Sequence, residues 1–159
     1  MHNGSVAEPS DDARAAALAL SRTARMLERA LARDTAPTLT LSDYRVLTAV
    51  AGGEGRASRL ARRLAVGKPS VSASVDSLVR RGLLARRVGA GDQRAIDLTV
   101  TPTGHDVLGD ADRAIAGLVT DIASRTPDPE GTLAALAAFG TALEQRQGEI
   151  AAHRTEPRA

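Results

Sequence analysis

Apolar and polar positions in this chain follow two periods, one helical and one extended. Between residues 12 and 34, Ala16, Leu20, Thr23, Leu27 and Ala30 recur at alternating intervals of four and three, the spacing of one face of an α-helix. Pro37 lies in the break that follows. Thr40 is placed to cap a second helix over 41–50, and Asp43 completes a capping-box-like pair with it. Gly52, Gly53 and Gly55 end that helix. A short helix predicted over 57–65 buries Leu60, Ala61 and Leu64 and exposes Arg59, Arg62 and Arg63. Val66 and Gly67 make a turn, and Pro69 falls in the first turn of the next helix, where its missing N–H is harmless. There Val71, Val75, Leu78 and Val79 form the inward stripe and Gly82 the stop. Ser70, Ser74 and Ser77 are expected on the opposite face, with Ser72 and Ala73 at its edges.

Beyond Gly82 the period drops to two. Ile96, Leu98 and Val100 alternate with Asp97, Thr99 and Thr101, the pattern of a strand with one buried face. A second strand-like flank begins at Leu84, and Gly89, Ala90, Gly91, Asp92 and Gln93 between them predict a hairpin with a flexible tip. Helix, turn, helix and hairpin in this order make a winged helix-turn-helix over 37–101.

Thr101-Pro102 then opens a long helix to about residue 124, with Leu108, Ala111, Ile115, Leu118 and Ile122 in its seam. Pro127-Asp128-Pro129 breaks the chain, and a last helix to about residue 153 carries Leu133, Leu136, Gly140, Leu143, Gln147 and Ile150 in a heptad weakened by its glycine and glutamine. Seams of this length exceed what the small central unit can cover. The fold expected is mainly α with a small β-hairpin wing. Segments 12–36 and 102–153 are expected to be dimerisation helices, with Leu20, Leu27, Leu108, Ile115, Leu118, Ile122, Leu133, Leu136 and Leu143 at the contact. Packing of these seams within one subunit is the competing reading. Residues 1–11 and 154–159 are expected to be disordered tails.

Composition narrows the chemistry. Apolar residues make up 43% of the chain, but with one Phe, one Tyr and no Trp the core must be aliphatic. The absence of Cys excludes disulfides, thiolate metal sites, cysteine nucleophiles and thiol redox sensing. No signal-peptide core and no membrane-length apolar run is present, so a cytoplasmic protein is expected. Net charge is only +2, yet ten cations and two acids lie between Arg56 and Arg94, and the remaining sequence is acidic. A basic centre between acidic flanks suits a polyanion.

Catalysis finds no constellation. His2 and His153 lie near the termini, and His105 has Asp106 beside it on a helix, where adjacent side chains do not meet. No Gly-rich phosphate loop follows a strand. No cofactor or metal is expected. Arg80, Arg81, Arg86 and Arg87 can reach phosphates, which adds affinity without reading sequence. Lys68 and the first-turn N–H groups lie at the positive end of a helix dipole. Ser70, Ser72, Ser74 and Ser77 can bond phosphates or base edges, or be ordinary solvated surface. Arginines around a hairpin tip also have a plainer reading, a charged edge that discourages aggregation.

The order LARRL (60–64), KPSVS (68–72), LVRRGLL (78–84), DQR (92–94) and LTVTPTG (98–104) resembles the MarR family of bacterial transcription regulators over 12–153. The resemblance implies that the polyanion is double-stranded DNA and that a homodimer faces one duplex, its KPSVS helix in the major groove and its wing in the minor groove. By match to the family's D-x-R motif, Arg94 would enter the minor groove and Asp92 would orient an arginine nearby. Arg59, Lys68, Pro69 and Ala73 join the expected DNA-contacting set. Many family members carry a larger polar or basic residue where this chain has Ala73, which can touch a thymine methyl but cannot make a bidentate contact. Weak direct readout, with more specificity from DNA shape, is therefore expected. A repressor on a palindromic operator, nucleoid-associated and released by a small aromatic or phenolic effector, is the function implied. A sequence-neutral architectural DNA-binding protein without a ligand is the alternative. Met26, Tyr44 and Val107 could wall an effector pocket, although Tyr44 also fits a core position.

Overall fold

The computed structural model describes residues 8–56, 59–60, 64, 68–88 and 96–153. Its bounded elements, numbered along the chain, are α1 (Asp11–Asp34), α2 (Leu41–Ala51), α3 (Lys68–Arg80), β1 (Leu84–Val88), β2 (Ile96–Val100), α4 (Pro102–Ala123) and α5 (Pro129–His153). The helix expected at 57–65 is described only at Arg59, Leu60 and Leu64. Leu60 and Leu64 are buried there, and Leu64 N–H donates to the Leu60 carbonyl at 2.9 Å, a helical step.

Local chemistry sets the ends of these elements. Ser10 caps α1. The Thr40 hydroxyl accepts from Asp43 N–H at 3.0 Å, and the Asp43 carboxylate accepts from Thr40 N–H at 3.2 Å, so the expected capping box at α2 is present. Gly82 stops α3 at φ +70°: its N–H donates to the Val79 carbonyl and Leu83 N–H to that of Leu78, a Schellman closure that needs a left-handed residue. Asp128 accepts from Gly131 N–H at 2.9 Å and opens α5.

β1 and β2 pair antiparallel, with Leu84 opposite Val100, Arg86 opposite Leu98 and Arg87 opposite Asp97. Gly55 adds to the free edge of β2 by accepting from Leu98 N–H at 2.8 Å. The core lies where α1, α2, α3, α4 and this hairpin converge. Leu31, Leu39, Leu47, Leu60, Leu78, Leu83 and Leu84 are almost wholly excluded from solvent there. Each contributes about 1.5–3 kcal/mol of transfer free energy by leaving water.

The wing joins α4 through the Thr-Pro-Thr-Gly segment. The Thr101 hydroxyl donates to the Gly82 carbonyl at 2.6 Å and accepts from Gly104 N–H at 3.0 Å, so one side chain caps α4 and ties it to the end of α3. Gly104 is required by space: a Cβ there would sit 2.1 Å from the Leu83 carbonyl oxygen.

Two expectations are corrected. Leu108, assigned to the dimer contact, is 8% exposed and belongs to the subunit's own core, with Ala111 beside it and Ile115 packed against it. The first half of the α4 seam is filled by α1 and α2 of the same chain, as the competing reading had it. The terminal helices differ: Leu18, Leu20, Met26, Leu133, Leu136, Phe139, Leu143 and Ile150 are exposed apolar side chains.

Candidate nucleic-acid interface

In α3, Val71, Val75 and Leu78 are buried. At 100° per residue, the side opposite that stripe is centred near Ala73 and Arg80. Pro69, Ser70, Ser72, Ala73, Asp76 and Arg80 are accordingly exposed, while Ser74 and Ser77 are half-buried at the flank. The outward face is thus turned from the expected row of Ser70, Ser74 and Ser77. Ser74 faces α2, where its hydroxyl and that of Ser42 share a hydrogen bond of 3.0 Å. Small side chains at Ser70, Ser72 and Ala73 let the helix backbone come close to another surface.

The arginines divide into free and engaged groups. Arg80 and Arg87 are exposed, with no ion pair among the described residues. Arg87 stands on the face of β1 away from the core, and its cross-strand neighbour is Asp97. Arg86 lies on the core-side face and donates to the Asp76 carboxylate, which stitches the hairpin to α3. This exposed pair stabilises by well under the energy of a buried one, about 0–1 kcal/mol.

Arg81 departs most from expectation. Its guanidinium does not point outward with Arg80: it donates to the Asp43 carboxylate at 3.1 Å and to the backbone carbonyls of Thr38 at 2.5 Å and Pro37 at 3.3 Å. The reason is geometric, since Arg81 follows the last turn of α3 where the chain rolls toward Gly82, beside the start of α2. Arg59 lies 3.4 Å from the Glu54 carboxylate and Arg56 3.9 Å from that of Asp97. Arg45, unmarked by any motif, donates to the Leu64 carbonyl at 2.9 Å and braces the segment between α2 and α3.

Residues 38–95, from the corner before α2 to the start of the second strand, match the family model described as "MarR family". Solved structures share the fold. The apo form of MarR from E. coli is 19% identical, with a TM-score of 0.69 over 83% of this chain and 98% of that one. BldR from Sulfolobus solfataricus is 24% identical, with a TM-score of 0.67 over 80% and 91%. The M. tuberculosis regulator MosR, solved in complex with DNA, is 25% identical, with a TM-score of 0.59 over 82% and 96%. Residues 38–95 are thus similar to the MarR family, and the chain shares its fold with these regulators. No curated protein matches the sequence significantly.

Among the described residues, no group of three His, Asp or Glu is placed to hold a metal ion, and no helix is long and apolar enough to cross a membrane. Several members of the expected MarR-type DNA-contacting set, Asp92, Arg94 and the side chain of Lys68, lie outside the described residues. Of the three residues proposed to wall an effector pocket, Val107 is buried, Met26 is exposed, and Tyr44 packs against the core while its hydroxyl donates to Asp112 at 2.8 Å. Burial, and then the bond to the Asp112 carboxylate, push the Tyr44 phenol up to about 12.

Two features of the interface had escaped the sequence reading. Asp76, an acid among cations, sits on the outward face, a position readable from its spacing to Pro69, Ala73 and Arg80. Ser42 and Asp43 of α2 each hold a residue at or after α3, and nothing local in the sequence marks that pairing.

Proposed function

We propose that the chain acts as a homodimeric repressor that reads a palindromic operator through α3 and the wing and is released by a small aromatic or phenolic effector. The outward face of α3 carries the reading. It is free of large apolar side chains and carries the exposed guanidinium of Arg80, and Arg87 is exposed on β1. A surface of that kind fits a major groove, with hydroxyls for base edges and arginines for phosphates. Pro69, Ser70, Ser72, Ala73, Asp76, Arg80 and Arg87 are the contacts assigned on the described surface, with Lys68, Asp92 and Arg94 added by motif.

The second subunit follows from the terminal helices. α5 runs 25 residues, yet Leu133, Leu136, Phe139, Leu143 and Ile150 are exposed on it. An isolated helix gains most of its stability from burying an apolar face, so this one needs a partner. A second copy supplies the same seam and sets two α3 helices on one side of a duplex, about one helical turn apart. The cytoplasm, beside the nucleoid, is the compartment this reading requires.

Footprinting of purified protein across its own upstream DNA, with competition by unrelated duplexes, tests the proposal. The expected result is an imperfect palindrome with half-site centres roughly 10 base pairs apart, preferred by about 10³-fold or more. Equal binding to every duplex would instead make the chain a sequence-neutral architectural protein, a reading favoured by the short side chains at Ser70, Ser72 and Ala73. Aromatic acids and phenols added to the complex then test release.

A further inference from the structure

The start of α2 holds α3 at two places. Ser42 bonds Ser74 in its middle, and Asp43 receives Arg81 just past its end. Asp43 is itself buried and is fixed by its cap on Thr40, so it offers Arg81 an immobile acceptor. Arg81 also gathers the carbonyls of Pro37 and Thr38, which belong to the corner joining α1 to α2. That corner is rigid in its own right. The buried Thr35 hydroxyl donates to the Leu31 carbonyl at 2.7 Å and accepts from Leu39 N–H at 2.9 Å, and Leu31 and Leu39 are wholly or almost wholly buried.

A single guanidinium therefore links the end of α3 to the end of α1. Its side chain is 25% exposed and the Asp43 side chain 7%, so water screens the contact far less than it screens the surface pair of Arg86 and Asp76. The planar fork suits three oxygens presented from one side; a lysine ammonium, a point charge on a flexible stem, does not span them in the same way.

We infer that Arg81 is a positioning residue: it locks the recognition helix α3 to the α1–α2 corner, and through α1 sets the angle and separation of the two recognition helices in the dimer. This rests on the DNA-binding reading above. Arg81 then acts on specificity for half-site spacing without touching DNA. The neighbouring Arg80 points to solvent and serves phosphates, so two adjacent arginines do different work.

The test begins with wild-type protein and a random duplex pool, from which the tightest palindrome and its spacing are selected. Arg81→Ala, Arg81→Lys and Asp43→Asn are then titrated against that duplex, and against versions with one base pair added or removed between half-sites, over a range of salt. A positioning role predicts that Arg81→Ala and Asp43→Asn weaken the selected duplex by roughly tenfold or more. The mis-spaced versions are weakened less, so the spacing preference shrinks, and the salt slope stays that of wild type. Arg81→Lys should fall well short of wild type despite keeping its charge.

A phosphate-contacting Arg81 gives the opposite pattern: Arg81→Lys near wild type, spacing preference kept, and a salt slope reduced in Arg81→Ala by about one for each subunit. That result overturns the inference, as does unchanged affinity in all three variants. If Arg81→Ala loses its helical circular dichroism, Arg81→Lys and Asp43→Asn decide between the two patterns. Failure of the wild-type protein to select any duplex would sink the DNA-binding reading itself, and this inference with it.

Discussion

A methyl group added at Gly104 sets local helix propensity against tertiary packing. Glycine within a helix destabilises it by about 1 kcal/mol relative to alanine, so propensity alone makes Gly104→Ala a stabilising change in α4. Packing says otherwise. The new Cβ would lie 2.1 Å from the Leu83 carbonyl oxygen and 2.8 Å from Val100 Cγ1, whereas ordinary contact begins near 3.4 Å. The Leu83 oxygen is backbone, and it also accepts from Thr101 N–H at 3.1 Å. It cannot swing aside, so the first turn of α4 must retreat by something on the order of 1 Å within a close-packed core. Overpacking of this kind costs about 1–3 kcal/mol. The strained Thr101–Leu83 bond adds roughly 1 kcal/mol, and better helix propensity offsets about 1 kcal/mol. The net destabilisation is about 2 kcal/mol, or about 4–8 °C in Tm for a chain of this size. Calorimetry of Gly104→Ala beside Gly117→Ala makes the comparison internal, because a Cβ at Gly117 meets no atom of the subunit within 4 Å. A Gly104→Ala protein that melts with or above wild type would refute the reasoning.

Other outcomes test the interface, the seam and the buried phenol. Arg94→Ala should weaken binding to the selected operator by about 1–3 kcal/mol with the melting temperature unchanged, and unaltered affinity in a mobility-shift titration removes Arg94 from the groove. Leu136→Asp is nearly harmless to a lone subunit, where Leu136 is 46% exposed. At a dimer seam it buries a carboxylate at a penalty of several kcal/mol, so sedimentation should show monomer and operator binding should fail; a normal dimer places Leu136 outside the contact. Tyr44 is the sole tyrosine in a chain without tryptophan, so ultraviolet absorbance reads its ionisation directly. Its folded pKa of about 12 exceeds the ordinary value of 10.0, so the native state holds the proton more tightly and stability should fall as pH rises from 10.0 toward 12. A phenol titrating near its ordinary value in the folded protein contradicts the burial and the Asp112 bond.

Much of the fold was legible because its signals are local. The capping box at Thr40 and Asp43, the stop at Gly82 and the opening of α4 at Pro102 each involve residues within a turn or two of each other. The α3 stripe of Val71, Val75 and Leu78 was likewise written in a four-three spacing, and the same spacing contained the true outward face near Ala73 and Arg80. The alternation of Leu98 with Asp97 and Thr99 gave β2 its buried side.

What a side chain does once it reaches a surface was decided only by the tertiary structure. Arg80 and Arg81 are adjacent and chemically identical, yet one is exposed and the other is bonded to Asp43, 38 residues away. Arg86 and Arg87 divide in the same way, because strand alternation turns one toward Asp76 of α3 and the other away from the core. Leu108 repeats the lesson among apolar residues: its heptad spacing marked an inward face without saying whose core would fill it, and α4 buries it in its own subunit. Sequence periodicity determines which faces of an element are apolar or charged, since it is set by neighbours three or four positions apart. The partner of each face depends on where the chain returns after tens of residues, and packing geometry alone settles that.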